Sequence, residues 1–191
     1  RTYPFGPLFS HILGYTKFIN DTDMEADPFY SLTDSIGATG IEYEYETNLR
    51  GVKGTRKVQV NSLGKEDKTI VFAPPQKGDD ITLTIDAESQ QKLSEILENT
   101  LKKESVERAA AIVMNPQNGA IIALVSFPRY DNNVFTSNNI GQSVFEELFN
   151  DKNRPLFNRA ISGAYPPGST FKLVVGSAAL EEKIADERFT V

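Results

Sequence analysis

Cysteine is absent from this sequence of 191 residues, so disulfide bonds and thiolate chemistry are excluded. Only one histidine occurs, His11, and a single histidine without cysteine argues against a zinc site. Because His11 lies among apolar residues, we expect it to have a structural role. No apolar run approaches the roughly 20 residues that span a bilayer, and no signal peptide is visible. The net charge of −6 gives no reason to expect binding to nucleic acid or to an anionic membrane surface.

The composition is that of a soluble globular protein, with 39% hydrophobic and 24% charged residues. The length allows one large domain or two small ones. Residues 74–78, Pro-Pro-Gln-Lys-Gly, interrupt the pattern and predict a domain boundary, with domains at 1–79 and 80–191. In the first of these, residues 56–60 and 68–72 flank the turn 61–64 and predict a hairpin. The acidic stretch 21–34 is typical of a loop or a short helix.

The second predicted domain begins with a strand and a covering helix. Residues 81–85 place Ile81, Leu83 and Ile85 on one side of the predicted strand. Asp86 is a natural N-cap for the helix that follows. That helix carries one apolar stripe, formed by Leu93, Ile96, Leu97 and Leu101, and ends in Lys102 and Lys103.

Two apolar segments, 109–114 and 120–127, are joined by Asn-Pro-Gln-Asn-Gly and predict a second hairpin. Residues 128–158 are weakly patterned and long, which is typical of a functional loop. Within this loop we expect a short helix formed by Phe145, Leu148 and Phe149.

The residues that predict chemistry are Ser169 and Lys172. Pro166 and Pro167 are expected to hold the approach extended, and Gly168 permits a backbone angle that other residues resist. Positions i and i+3 of a helix share a face, so Lys172 can reach the Ser169 hydroxyl. It is the only charged residue in 169–180, and a helix so apolar is expected to lie in the core. Desolvation would then favour a neutral amine that accepts the serine proton.

Ser-x-x-Lys by itself is not specific, since it occurs three times in this sequence. The pair Ser62 and Lys65 lies in a predicted turn, and the pair Ser89 and Lys92 on an amphipathic helix. Only Ser169 is followed by an apolar helix and preceded by Pro-Pro-Gly. From the residues alone two interpretations stay open: a nucleophile with its base, or an N-cap serine with a lysine that reaches the surface.

A resemblance favours the first interpretation. Residues 165–172, Tyr-Pro-Pro-Gly-Ser-Thr-Phe-Lys, preceded by Asn-Arg-Ala at 158–160, resemble the active-site segment of class B penicillin-binding proteins, in which Ser-x-x-Lys is a known motif. Residues 1–6 and 11–15 resemble the start of that family's pedestal domain. Residues 37–54, with Gly-x-x-Gly-Ile-Glu and Leu-Arg-Gly-x-x-Gly, resemble its continuation. The likeness covers most of the chain in the family's order.

The resemblance implies an α+β fold, with an irregular β-rich pedestal (dimerisation-like) domain at 1–79. The N-terminal, incomplete part of a serine β-lactamase-like transpeptidase domain would follow at 80–191. It implies a peptidoglycan D,D-transpeptidase that crosslinks stem peptides, with Ser169 as the acyl-ester nucleophile and Lys172 as the general base. Ser169 would attack the D-Ala-D-Ala bond, and β-lactams would trap it. Acyl transfer by serine and lysine needs no metal or organic cofactor.

The resemblance also implies a cellular location and binding partners. A class B protein has one N-terminal membrane anchor, which we expect upstream of Arg1, and acts at the extracytoplasmic face of the cell membrane. Cell-wall synthesis proteins such as a membrane glycosyltransferase are the expected partners.

The sequence departs from the family pattern at two elements. No Lys-Thr-Gly or Lys-Ser-Gly occurs. Ser137-Asn138-Asn139 matches Ser-x-Asn by letter, but it precedes Ser169, and we interpret it as a coincidental match in a loop. We therefore expect most of the transpeptidase domain to be missing and the 191-residue chain to be inactive alone. We expect that either a second chain completes the domain or the C-terminal half of this chain is partly disordered. We also expect the second hairpin to have exposed edges.

Two alternatives remain for the function. Beside the transpeptidase, the first alternative is a non-catalytic scaffold of cell-wall synthesis, and the second is a serine D,D-carboxypeptidase or β-lactamase with the same serine and lysine. The pedestal-like first half argues against a β-lactamase. A Ser-His-Asp triad would have to use His11, which lies in the other predicted domain.

Overall fold

The computed structural model describes residues 1–60, 65–136, 142–186 and 188. The chain divides into two compact units, Arg1–Ile161 and Ser162–Val191. Both helices and strands occur, which confirms the predicted α+β class. In the described residues the strands form three antiparallel sheets of two strands each.

The described residues among the first 79 contain four short α-helices, a 3-10 helix and four strands. The helices are α1 (Ser10–Leu13), α2 (Asp21–Ala26), α3 (Gly40–Glu44) and α4 (Glu46–Leu49); the strands are β1 (Thr16–Phe18), β2 (Ser35–Gly37), β3 (Thr55–Val60) and β4 (Glu66–Ala73). Helix α2 forms in the acidic stretch because Asn20 and Asp23 cap its start reciprocally. Strands β3 and β4 pair antiparallel, which confirms the predicted hairpin. Its turn at 61–64 lies outside the described residues.

A buried carboxylate organises the packing of these short elements. Glu46 accepts hydrogen bonds from the Tyr30 hydroxyl (3.0 Å) and from the backbone N–H of Gly37 (2.7 Å). Both oxygens of a nearly buried side chain are thereby satisfied, as burial of a charge requires. The contact ties α4 to the end of β2.

Residues 81–85 do not form the predicted strand. The Thr84 hydroxyl donates to the Ile121 carbonyl (2.7 Å), and the Asp86 N–H donates to the Ile122 carbonyl (2.9 Å). These two contacts touch only the start of a neighbouring strand and do not build a ladder, so the alternating side chains lie on an irregular segment.

Helix α5 (Ala87–Glu104) begins where the sequence predicts, because the Asp86 carboxylate accepts the Ser89 N–H (2.8 Å). Of the predicted stripe, Leu93, Leu97 and Leu101 are half-buried, but the fully buried positions are polar. Gln90 and Ser94 are buried, whereas Ile96 is 54% exposed. The Ser94 hydroxyl accepts a hydrogen bond from Arg129 (2.7 Å), so this buried polar position is satisfied.

The second hairpin is confirmed as β5 (Ala109–Met114) paired antiparallel with β6 (Ile121–Phe127). Strand β6 contributes much of the core through Ala123, Val125 and Phe127, while β5 is largely exposed. Gln90 forms hydrogen bonds with the backbone of β6 on the edge that faces away from β5. Its side-chain amide donates to the Leu124 carbonyl (2.7 Å), and its oxygen accepts the Leu124 N–H (2.8 Å).

The long loop after β6 holds a 3-10 helix (Asn132–Thr136) and then α6 (Gln142–Asn150) and α7 (Arg159–Ser162). Helix α6 contains the three apolar residues from which it was predicted. Tyr15 stacks on Phe135 with ring centroids 3.8 Å apart, and Tyr130 meets Phe135 edge-on. These aromatic contacts join the loop to the beginning of the chain.

The N-terminal arm, which we define as residues 3–14, includes a 3-10 helix (Gly6–Phe9) and α1. Tyr3 and Asn133 exchange two hydrogen bonds of 2.9 Å, and the Tyr130 hydroxyl donates to the Ser10 carbonyl (3.1 Å). The Gln90 amide also donates to the Leu8 carbonyl (3.1 Å). The arm thus packs on residues of the second predicted domain as well as on its own, where the Tyr3 hydroxyl donates to the Glu42 carboxylate (3.2 Å).

Candidate active site

The turn before Ser169 is built by proline and glycine. Gly168 has φ = +54°, in the left-handed region, which confirms the conformational role predicted for it. Pro167 is helical (φ −67°, ψ −20°), so the extended approach expected for both prolines does not include Pro167. The Thr170 hydroxyl donates to the Pro167 carbonyl (2.6 Å) and closes the turn.

Ser169 and Lys172 lie on consecutive elements that continue into each other. Ser169 is in a 3-10 helix (Gly168–Phe171), and Lys172 is the first residue of α8 (Lys172–Glu181). The backbone N–H of Lys172 donates to the Ser169 carbonyl. Because residues i and i+3 of a 3-10 turn lie almost above each other, this geometry places both side chains on one face. In the part of the chain described here, no hydrogen bond to the Ser169 hydroxyl or to the Lys172 amine is present.

Helix α8 is not the core helix that its apolar sequence predicts. Leu173 is 78% exposed, and Val174, Val175 and Leu180 are also exposed. Lys172 is itself exposed, so the apolar enclosure expected for it is not formed among the residues that the structure describes. The physical reason is size. A unit of fewer than roughly 40 residues seldom builds a core of its own, and the second unit, Ser162–Val191, is shorter than that.

The competing Ser-x-x-Lys pairs differ from Ser169 and Lys172. The Ser89 N–H is engaged by Asp86 at the start of α5, and Lys92 lies within 3.9 Å of Glu95 on the exposed face. Ser62 and the Ser-Asn-Asn at 137–139 lie outside the described residues.

His11 has structural partners, as predicted. Its Nε2 lies 2.7 Å from the Pro155 carbonyl oxygen, and its ring meets Tyr130 edge-on at 5.2 Å. Burial lowers the pKa of His11 below its ordinary value. The Arg159 guanidinium also lowers it, against the effect of the hydrogen bond to Pro155.

Sequence reasoning missed the buried Arg159, which binds carbonyl groups of the segment that precedes the candidate nucleophile in the chain. Its guanidinium donates to the carbonyls of Arg154 (3.1 Å), Phe157 (3.2 Å) and Asn153, and its N–H donates to the Ser126 hydroxyl (3.0 Å). The only sequence signal was its place in the Asn-Arg-Ala triplet. Its role depends on carbonyl groups that a sequence pattern does not show.

Residues 1–60, 65–136, 142–186 and 188 hold neither a cluster of metal ligands nor a membrane-spanning helix. Over these ranges the His, Asp and Glu side chains form no cluster of three suited to a metal ion. No helix there is both long and apolar enough to cross a bilayer.

Comparison with known proteins identifies the family. The sequence model of the penicillin-binding protein dimerisation domain matches residues 1–83, and that of the penicillin-binding protein transpeptidase domain matches 109–191. The predicted boundary at 79/80 itself stays a prediction. Peptidoglycan D,D-transpeptidase MrdA of Escherichia coli K12 is 39% identical over the whole chain, which spans 30% of that protein.

Two solved structures share the fold. The complex between penicillin-binding protein PBP2 and MreC from Helicobacter pylori matches the whole chain at 33% identity with a TM-score of 0.83, over 34% of its own chain. A structure describing the coordination of polymerization and crosslinking by a peptidoglycan synthase complex matches the whole chain at 31% identity with a TM-score of 0.80, also over 34% of its chain. Together with the two domain matches, these findings show that the chain belongs to the class B penicillin-binding proteins and carries their dimerisation domain and the beginning of their transpeptidase domain.

Proposed function

We propose that the protein carrying this chain is a peptidoglycan D,D-transpeptidase, in which Ser169 is the nucleophile and Lys172 the general base. The observation that carries the proposal is the single turn that holds both residues directly after the left-handed Gly168. This turn lies within the residues that match the transpeptidase domain.

The chemistry follows from the two groups. The Lys172 amine takes the proton of the Ser169 hydroxyl, and the oxygen attacks the carbonyl of the penultimate D-alanine of a stem peptide. The peptide C–N bond breaks, and terminal D-alanine leaves with a proton on its amine. An amine of a neighbouring stem then attacks the acyl-serine, forms the crosslink and restores the hydroxyl. A β-lactam acylates the same oxygen by opening its ring. The apolar enclosure of Lys172 would come from parts of the transpeptidase domain that this chain does not contain.

The same proposal places the protein among cell-wall synthesis proteins. It would act at the extracytoplasmic face of the cell membrane, held by an anchor outside these residues. The similar PBP2 of H. pylori was solved with MreC, and another similar chain belongs to a peptidoglycan synthase complex. We accordingly propose a partner of this kind, with a membrane glycosyltransferase as the specific expectation, and the dimerisation domain as its docking part.

The test is acylation of the full-length protein by a fluorescent penicillin, with the adduct located by mass spectrometry. We expect labelling on Ser169, none in Ser169→Ala and, because the base is lost, at least about a hundredfold slower labelling in Lys172→Ala. The chain offers a matched control in Ser89→Ala and Lys92→Ala, which change a second Ser-x-x-Lys at the start of α5 and should label at the wild-type rate. Full labelling of Ser169→Ala would overturn the assignment.

A product assay separates the remaining alternatives. With a donor stem peptide and an acceptor amine, a transpeptidase forms crosslinked dimer, whereas a carboxypeptidase releases D-alanine without crosslinking. Rapid turnover of penicillin would instead indicate a β-lactamase. A protein that is never acylated would be a scaffold.

A further inference from the structure

The N-terminal arm is tied to the segment that leads toward Ser169 by two hydrogen bonds of opposite direction. We define the approach segment as residues 151–161. His11 Nε2 lies 2.7 Å from the Pro155 carbonyl oxygen, which requires the Nε2–H tautomer as donor. In return, the Asn158 side-chain N–H donates to the His11 carbonyl (3.2 Å). The two partners are 144 residues apart for the first bond, so this is a tertiary contact and not part of a local turn.

The arm can serve as an anchor because it is itself held on both sides of His11. The Asn132 amide donates to the carbonyls of Ser10 (3.2 Å) and Gly14, and the Tyr130 hydroxyl also donates to the Ser10 carbonyl. The Tyr130 ring meets the imidazole edge-on. These contacts fix the backbone from which the imidazole extends and restrict the orientation of its ring.

Arg159 and Asn158 also make hydrogen bonds within the approach segment and to β6. Arg159 binds three carbonyls of this same segment, and its N–H reaches Ser126 on β6. The Asn158 oxygen accepts the Ala160 N–H (3.1 Å) and so caps α7. His11, Asn158 and Ile161 also line a largely apolar cavity of about 320 Å³. Without the tie, the local turn would persist, but the segment would have room to shift into that cavity.

We propose that His11 and Asn158 are positioning residues, which use the N-terminal arm to fix the approach segment in one place. This inference rests on the proposed function for its catalytic consequence, because the chain continues from this segment to Ser169. Misplacement of a reacting group by about 1 Å is enough to slow a reaction by a factor of up to about a hundred. Binding of penicillin before the chemical step does not require the same precision of the serine.

The test uses three variants of the full-length protein. His11→Ala removes the donor to Pro155, and His11→Gln replaces it with a side-chain amide N–H. Asn158→Asp keeps the oxygen that caps α7 but removes the N–H that binds the His11 carbonyl. We expect His11→Ala and Asn158→Asp to lower the first-order acylation rate at saturating fluorescent penicillin by about tenfold. The half-saturating penicillin concentration should stay within twofold of wild type, and His11→Gln should recover most of the rate.

Amide hydrogen exchange of the same proteins gives a readout that does not depend on activity. We expect faster exchange at Phe157 and Ala160 in His11→Ala and Asn158→Asp, with the exchange of β6 unchanged. If wild-type protein is not acylated on Ser169, the proposed function fails, and the exchange result alone decides whether the tie fixes the segment. An unchanged acylation rate in an active enzyme, or unchanged exchange at both amides, would overturn the positioning role.

Discussion

At the scale of single residues, the buried imidazole links stability to pH. Because burial, aided by Arg159, lowers the pKa of His11, the unfolded chain binds a proton at a higher pH than the folded chain does. Stability is therefore complete above about pH 6.5 and falls as the pH decreases from there toward the lower folded-state pKa. We expect the denaturant midpoint of wild type to drop over this range and that of His11→Gln to drop less. Parallel curves for the two proteins would contradict this.

Gly14 and Gly119 have almost the same positive φ but differ in the space around them. Substitutions at the two positions therefore distinguish backbone strain from a steric clash. Gly14 has φ = +74° and Gly119 has φ = +75°. A Cβ on Gly14 would lie 1.9 Å from the Thr39 carbonyl oxygen, whereas a Cβ on Gly119 meets nothing within 4 Å. We expect Gly119→Ala to lower the free energy of unfolding by about 1 kcal/mol, from the backbone angle alone. Gly14→Ala should lower it by roughly 4 kcal/mol or more, because the backbones of α1 and α3 must separate. Urea unfolding measures both, and equal losses would refute the clash.

At the scale of elements, Gln90 joins α5, β6 and the N-terminal arm. Its side chain completes the hydrogen bonds of Leu124 on the side of β6 that faces away from β5, and it also holds the Leu8 carbonyl. In Gln90→Ala these backbone groups lose their partners, and we expect the free energy of unfolding to fall by roughly 2–3 kcal/mol. The adjacent Gln91→Ala is the control, because Gln91 is exposed and bonds only Glu95 among the described residues. A similar loss in both variants would mean that helix propensity, not the tie to β6, accounts for the effect.

At the scale of the whole molecule, the 191-residue chain and the full-length protein should differ in chemistry. The sequence holds no Lys-Thr-Gly or Lys-Ser-Gly element, and α8 is exposed. Serine and lysine act well only when oxyanion donors and substrate-holding groups are in place. We therefore expect the purified 191-residue chain to show no labelling by fluorescent penicillin under conditions that label the full-length protein stoichiometrically. Stoichiometric labelling of the short chain would overturn this expectation.

The sequence by itself determined the elements whose signals are local. Both hairpins, the Asp86 cap of α5 and the short helix at 145–149 were predicted from alternation, turn residues and apolar spacing, since each depends on neighbours in the chain. The same holds for the turn at Gly168, because only glycine adopts its angle readily. Family motifs placed the candidate nucleophile on that turn.

Only the tertiary structure decided which faces are buried and which distant groups meet. The apolar stripe predicted that Ile96 lies on the buried face of α5, but Ile96 is exposed. The buried residues of this helix are Gln90 and Ser94, because Leu124 and Arg129 supply their hydrogen bonds. The prediction of a strand at 81–85 is wrong for the converse reason. Alternating side chains alone do not supply a neighbouring strand with which the segment could form a hydrogen-bonded ladder. The tie between His11 and Pro155 is invisible in the sequence, because a carbonyl oxygen belongs to every residue and only folding selects the one that an imidazole will meet.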